Sequence, residues 1–149
     1  MLKGLDPLLT PDLLRFLAAA GHGDVVAVVD RNFPARSSGL PVIDLPGVDV
    51  TSALRAICSL LPIDVDVDDA PVRHMLTGAG TPGPAVQDVH ATLVAAEGRE
   101  VPLRGLDRFA FYEAARGAYV VVQTGDDRPY ACFLVTKGVV QAGPARAPQ

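Results

Sequence analysis

A histidine and an aspartate near the amino terminus are residue types that can move protons on a small molecule. His22 lies between two glycines, and Asp30 follows eight positions later, after the apolar run 25–29. Because the glycines leave the ring little cover and a histidine titrates at about pH 6.5, His22 can exchange a proton near neutrality. The alternative is a structural histidine that hydrogen-bonds the last carbonyls of a preceding helix. The residue types alone leave both interpretations open.

A short helix and a buried strand are the elements that would position this pair. Thr10 is a suitable N-cap and Pro11 suits the first helical position, so a helix is predicted from there to Gly21, the expected left-handed cap. The β-branched run Val25–Val29 predicts a strand buried on both faces. Since ligands bind beyond the strand ends in open α/β sheets, Asp30 is well placed to meet one.

Helices and apolar strands alternate through the rest of the chain, which predicts a layered α/β domain. A chain of 149 residues suffices for one domain, here residues 1–140, and residues 141–149, rich in Ala, Gly and Pro, predict a flexible tail. Three more helices are predicted: one that begins after Asp49 or Thr51, one from Val86 to Gly98, and one that begins after Asp107. The other predicted strands cover residues 41–45, 71–76, 101–106, 119–123 and 130–136.

Charge and composition exclude several classes of partner. The formal net charge is −4, the pI is about 5.2 and the chain has two lysines, so neither nucleic acid nor an anionic membrane is expected to bind. A neutral small molecule fits this charge better. Hydrophobic residues make up 49% of the chain, more than a lone domain needs, which favours contacts between subunits.

The two cysteines and the lack of long apolar runs bear on the compartment. Cys58 and Cys132 stand in apolar surroundings without metal-binding spacing, so buried free thiols are expected. The sequence shows neither a signal peptide nor a run of 18 apolar residues. A soluble, cytoplasmic protein is therefore expected.

Four aspartates between Ile63 and Asp69 invite interpretation as a calcium site. The run lacks the glycine and the terminal glutamate of a calcium loop, so no metal is expected. The alternation of apolar and acidic residues predicts instead a half-exposed strand, or the end of a strand, with an acidic face. His74, within a predicted strand, is interpreted as structural. The glycines of residues 77–84 superficially suggest a nucleotide fingerprint, but the two prolines argue against it, so a surface loop is expected.

Three blocks of the sequence resemble the fucose mutarotase and ribose pyranase family, also called the RbsD/FucU family. They keep the order of the family and span nearly the whole chain, and together they are specific. The blocks are Gly21-His22-Gly23-Asp24 with Asp30 and Asn32-Phe33-Pro34-Ala35; Arg108 to Ala115; and Thr124-Gly125-Asp126 with Tyr130 and Lys137-Gly138-Val139, which resembles a carboxy-terminal hairpin.

The resemblance implies a single three-layer α/β/α domain with a central mixed sheet, and an isomerase that uses no cofactor on a monosaccharide. In the implied reaction His22 donates a proton to the ring oxygen of the sugar, while a second group removes the proton of the anomeric hydroxyl. Asp30 would hold sugar hydroxyls or orient the imidazole. The other residues implied to bind substrate are Asp64, Arg108, Tyr112, Tyr130 and Cys132, and of these Arg108 and Tyr112 share a helix face.

Two branches of the family and a binding function are the alternatives. The run from Arg108 to Tyr112 favours the fucose branch and anomer exchange over the ring-size exchange of ribose pyranases; a non-catalytic sugar-binding protein is the third possibility. The chain also departs from the family, with Tyr130-Ala131-Cys132 where members usually carry Tyr-Gly-Asn or Tyr-Ala-Asn. An amide donates and accepts hydrogen bonds whereas a thiol does either weakly, so the change bears on substrate choice or on catalysis.

The spacing of His22 and Asp30 constrains how a site could be built. Eight residues of extended chain cover roughly 26 Å, so two ends of one such strand cannot touch one monosaccharide within a single subunit. Either the chain bends sharply at Gly23, or the site is shared between neighbouring subunits. Since family members form rings, a homo-oligomer, a ring or decamer with shared sites, is expected.

Overall fold

The computed structural model describes residues 2–142, so the tail predicted for residues 141–149 lies outside the described residues from position 143 onward. The helices of the described range are α1 (Pro11–Ala19), α2 (Val50–Cys58), α3 (Val86–Glu97) and α4 (Arg108–Ala115), with a short 3-10 helix at Arg36–Ser38. The strands are β1 (Val25–Val29), β2 (Val42–Leu45), β3 (Val72–Met75), β4 (Leu103–Leu106), β5 (Val120–Thr124) and β6 (Phe133–Thr136). None of these helices is long and apolar enough to cross a lipid bilayer.

The strands form one mixed sheet in the order β2-β5-β1-β6-β3-β4. β6 runs antiparallel to β1 and β3, and the remaining pairs are parallel, which confirms the predicted mixed sheet. The predicted hairpin of β5 and β6 is wrong, because β1 lies between these two strands. Their connection, residues 125–132, therefore crosses the carboxyl end of β1 and reaches the loop that follows it.

Two hydrophobic cores lie on opposite faces of the sheet. α1, α2 and α3 pack on one face through residues such as Leu13, Ile57 and Leu93, and α4 packs on the other through Phe111 and Ala115. The three-layer α/β/α fold is thus confirmed. β1 alternates between the two cores and all its residues from Val26 to Val29 are fully buried, as predicted. Burying one such valine is worth about 1.5–3 kcal/mol, so β1 contributes to the stability of both cores.

Helix ends follow the predicted capping residues, with one exception. Thr10 caps α1, Asp49 caps α2 and Asp107 caps α4, each accepting a bond from a backbone amide of the first turn. The predicted left-handed cap at Gly21 is wrong, because α1 ends at Ala19 and its C-cap, Ala20, is extended. The left-handed glycine is Gly23, with φ of 85°, since the chain must turn there to enter β1.

The acidic run after Ile63 is a turn, so of the two predicted alternatives, a strand or the end of a strand, the strand is wrong. Ile63 alone forms an isolated bridge, and the residues after it turn back. The four carboxylates do not converge, because each has a different partner: His22 for Asp64, Arg99 for Asp66, Thr136 for Asp68 and Arg104 for Asp69. Across residues 2–142, no group of three or more His, Cys, Asp or Glu side chains is arranged to hold a metal ion.

Candidate active site

The sheet separates the residues expected to meet a sugar into two groups at opposite edges. Asp30 follows β1 and Arg108 follows β4, at the carboxyl ends of parallel strands, and Cys132 precedes the antiparallel β6 at the same edge. His22 precedes β1 at the other edge, where β6 ends. We call these the carboxyl edge and the amino edge. One subunit therefore holds two of the seven predicted residues, His22 and Asp64, at the amino edge and the other five at the carboxyl edge.

At the amino edge, His22 is paired with Asp64. Its Nε2 lies 3.1 Å from Oδ1 of Asp64, and 45% of the His22 side chain is exposed against 7% of the Asp64 side chain. Because an ionised carboxylate is an acceptor only, Nε2 carries the proton, which leaves Nδ1 as the ring nitrogen free for proton exchange. The pair is a half-exposed imidazole oriented by a buried carboxylate.

Backbone contacts with the end of β6 hold both members of this pair. The amide of Gly23 donates to the carbonyl of Lys137 over 2.9 Å, and the amide of Asp64 donates to the carbonyl of Thr136 over 3.0 Å. Two segments that are 42 residues apart in sequence are thus tied to one strand end. This contact explains how the turn after α1 and the turn after Ile63 come together.

At the carboxyl edge, Asp30 is buried and its carboxylate is held in one orientation. Oδ1 accepts from the amides of Asn32 and Phe33 over 2.9 and 3.0 Å, which forms a tight turn after β1. The thiol of Cys132 donates to Oδ2 over 3.5 Å. Burial, and after it the charge of Asp30, raises the pKa of Cys132 well above its usual value, so the thiol stays protonated.

Tyr130 occupies a strained position in the connection that crosses β1. Its φ is +60°, and no other non-glycine residue between positions 2 and 142 has a positive φ. Such a conformation costs about 1–3 kcal/mol and is concentrated at functional sites. The Tyr130 hydroxyl lies close to Gly78, where an added Cβ would come within 3.5 Å of it. The left-handed backbone at Tyr130 turns the chain towards the loop after β3.

The two predicted residues of α4 lie at the start of the helix and one turn later. The guanidinium of Arg108 stacks 4.8 Å from the centre of the Phe109 ring, which is 70% exposed. The Tyr112 ring packs against Phe33 with 5.6 Å between centroids. Tyr112 also lines a cavity of about 230 Å³ beside the 3-10 helix. These contacts place donor groups and flat apolar surface at the carboxyl edge.

Comparison with known proteins identifies the family. The model of the RbsD / FucU transport protein family matches residues 3–140. The chain belongs to this family. It is 36% identical over 140 residues to the L-fucose mutarotase of Histophilus somni (strain 129Pt), covering 93% of this chain and 97% of that one.

Solved structures of RbsD/FucU proteins share the fold. The fucose mutarotase of Streptococcus pneumoniae in complex with L-fucose has a TM-score of 0.85 at 31% identity, with 94% of this chain and all of that one covered. Bacillus subtilis RbsD complexed with D-ribose has a TM-score of 0.71 at 21% identity over 95% of this chain and 100% of that one, which shows likeness of fold alone. The predicted family and its fucose branch are confirmed.

One residue of the family blocks has a structural role that sequence reasoning missed. A Cβ added at Gly138 would lie 2.7 Å from the carbonyl oxygen of Ile63 and 2.9 Å from Cα of Asp64. A side chain there would push Asp64 away from His22. The place of Gly138 in the block Lys137-Gly138-Val139 was the only signal in the sequence, and the contact with Ile63 and Asp64 shows why a glycine is needed there.

Another part of the family blocks supports the fold at some distance from the His22–Asp64 pair. Asp126 accepts from Arg128 over 2.6 Å and from the amide of Val50, so it ties the crossing connection to the start of α2. Burial alone would raise the pKa of Asp126, but the bonds from Arg128 and from backbone amides outweigh it and lower the pKa. The cleft beside Asp126 and Arg128 has a volume of about 750 Å³. The Arg128 guanidinium already pairs with Asp126, and the carboxylates of Asp88 and Asp49 lie 3.5 and 4.0 Å from it.

Proposed function

We propose that this protein is a monosaccharide mutarotase that interconverts the α and β anomers of a fucose-like sugar, with His22 as proton donor to the ring oxygen. The observation that carries the proposal is the half-exposed imidazole held by the buried carboxylate of Asp64. The full-length similarity to L-fucose mutarotases supports the same reaction.

The reaction needs one proton delivered and one removed. His22 in its charged form donates from Nδ1 to the ring oxygen, a second group takes the proton of the anomeric hydroxyl, and the bond between C1 and the ring oxygen breaks. The aldehyde rotates about its bond to C2 and recloses on its other face, which reverses both transfers. Positioned acid–base groups typically accelerate such steps by about 10²–10⁴-fold.

Residues of the carboxyl edge would position the sugar. Oδ2 of Asp30 can accept from a hydroxyl, Arg108 can donate to hydroxyl oxygens, and the rings of Tyr112 and Tyr130 offer apolar surface with a polar end. Cys132, whose thiol lies beside the Asp30 carboxylate, would also take part in sugar binding. These roles account for sugar binding without a metal or an organic cofactor.

The complete site would form between neighbouring subunits of a homo-oligomeric ring. Five residues of β1 span roughly 16 Å between the two edges, so His22 of one copy would meet the carboxyl edge of the next. Head-to-tail contacts of this kind close into a ring when the rotation between neighbouring copies closes. Exposed apolar side chains support the docking: Phe109 stands at the carboxyl edge, and Val67, 73% exposed, stands three residues from Asp64.

Exchange NMR tests the proposed reaction. Saturation transfer between anomers of fucose, galactose and ribose would be measured with the wild type and with His22→Ala. We expect anomer exchange with the wild type and its loss in the variant. His90→Ala is the matched control, because His90 also pairs with a carboxylate, Glu100, over 2.8 Å but lies on α3. Exchange between ring sizes, or binding without exchange, would refute the mutarotase and support a pyranase or a sugar-binding protein.

The assembly is tested separately by dilution. Activity per subunit should fall as the oligomer dissociates, measured beside light scattering or mass photometry. A monomer that keeps full activity would contradict a shared site.

A further inference from the structure

We infer that Cys132 is a positioning residue, whose thiol hydrogen-bonds Asp30 so that its carboxylate presents a single acceptor position to a sugar hydroxyl. The inference rests on the proposed function, because it assigns Asp30 to the sugar. It gives Cys132 a role through Asp30 instead of direct contact with substrate.

The acceptor positions of Asp30 carry the argument. An ionised carboxylate has about four lone-pair positions, two on each oxygen. The amides of Asn32 and Phe33 take both positions on Oδ1. The thiol of Cys132 takes one position on Oδ2 at 3.5 Å. One position remains, on Oδ2, and its direction is set by three fixed donors.

Burial of Cys132 excludes direct contact with a ligand and attack as a nucleophile. Cys132 is 1% exposed, so it has almost no surface with which to touch a ligand. Burial and the charge of Asp30 raise the pKa of the thiol, so it remains a donor and not a nucleophile at neutral pH. Asp30 is therefore the polar group through which Cys132 can act on the sugar.

A donor at this place also keeps Asp30 from turning. Without it, Oδ2 would have two open positions and the carboxylate could rotate about its Cβ–Cγ bond within the turn formed with Asn32 and Phe33. A hydroxyl bound by Asp30 in both the ground state and the transition state would then be held less well in both. Loss of the thiol should consequently raise KM with little effect on kcat.

Steady-state anomer exchange and sugar binding by calorimetry, with L-fucose as probe, test this role on the full-length protein. We expect Cys132→Ala to raise KM and Kd about fivefold to tenfold, with kcat within about twofold of the wild type. Cys132→Ser, which restores a donor, should recover most of the loss. Cys58→Ala is the matched control for removing a buried free thiol, because Cys58 lies in the other core.

A double-mutant cycle separates action through Asp30 from a general packing effect. In an Asp30→Asn background, Cys132→Ala should cause no further change in Kd. If the effect of Cys132→Ala is the same with and without the Asp30 carboxylate, or no larger than that of Cys58→Ala, the inference is overturned. Cys132→Val, which fills the volume without a donor, gives the same test if the alanine variant does not fold.

Failure of the two proposals would look different. A wild type that neither binds nor exchanges fucose, galactose or ribose refutes the proposed function and this inference with it. A wild type that exchanges anomers while Cys132→Ala keeps its KM refutes the inference alone.

Discussion

Replacing Asp64 with asparagine removes the negative charge beside the imidazole, and we expect it to slow anomer exchange. Asparagine has nearly the same size, and its amide oxygen can still accept from Nε2 of His22. The variant therefore separates the electrostatic effect of the carboxylate from its effect on the orientation of the ring. In the proposed reaction the charged imidazole is the form that donates the proton, and a neighbouring carboxylate stabilises that form.

The distance between the groups sets the size of the effect. Unit charges 3.1 Å apart attract by about 1.3 kcal/mol at the dielectric constant of water and by about 5 kcal/mol at an effective value of 20. Because 45% of the His22 side chain is exposed, we take the screened end of this range, about 1–2 kcal/mol. That loss corresponds to a rate about 5- to 30-fold lower.

The assay is anomer exchange by saturation-transfer NMR at pH 8. Glu100→Gln breaks the similar pair with His90 on the surface and should leave the rate unchanged. A rate for Asp64→Asn within about twofold of the wild type at pH 8 would refute the reasoning.

Three further predictions follow from glycine packing and from buried titratable groups. Gly138→Ala places a Cβ 2.7 Å from the carbonyl oxygen of Ile63, so it should lower the free energy of unfolding by about 1–3 kcal/mol and reduce exchange, measured by urea unfolding and NMR. Burial lowers the pKa of His74 below 6.5, so the unfolded chain binds a proton on this ring at a higher pH than the folded protein does. The free energy of unfolding should therefore be at its full value above a pH of about 6.5 and fall as the pH drops below it. His74→Leu should flatten this part of the pH profile, measured by chemical denaturation. Burial raises the pKa of Cys58 to about 12 and raises that of Cys132, so neither thiol should react with a disulfide reagent at pH 8 until the protein is unfolded.

Each of these predictions has a control and an opposing outcome. Gly117→Ala adds a Cβ whose closest contact is 3.7 Å, so stability that falls equally in both glycine variants would contradict the packing argument. A pH profile that His74→Leu leaves unchanged would assign the acid sensitivity to other groups. Rapid labelling of either thiol in the native protein would contradict its burial.

Local sequence signals predicted the elements well, because their causes lie within a few residues. The caps Thr10, Asp49 and Asp107 satisfy amides of the next turn, and a β-branched run such as Val25–Val29 suits a strand with both faces buried. The strand prediction for the acidic run after Ile63 was wrong for a related reason. Its alternation fits a strand, but the long-range partners of its carboxylates, which no local pattern encodes, favour a turn.

The candidate site shows the same division. The residue types of His22 and Asp30, and the length of the strand between them, predicted either a sharp bend at Gly23 or a site shared between subunits. The pairing of β1 places the two residues at opposite edges. The pairing of His22 with Asp64 across 42 residues could not be predicted from their own surroundings. It depends on the bridge between Ile63 and Lys137.

By itself the sequence determined the helices, the strands, the family and the chemical types available for catalysis, since these depend on side-chain periodicity, capping and residue identity. Only the tertiary structure decided that β1 separates β5 from β6, that Asp64 orients His22, and that Cys132 holds Asp30 across 102 residues. The physical reason is that strand order and side-chain contacts arise when two faces of one sheet are buried together, and that packing joins residues far apart along the chain.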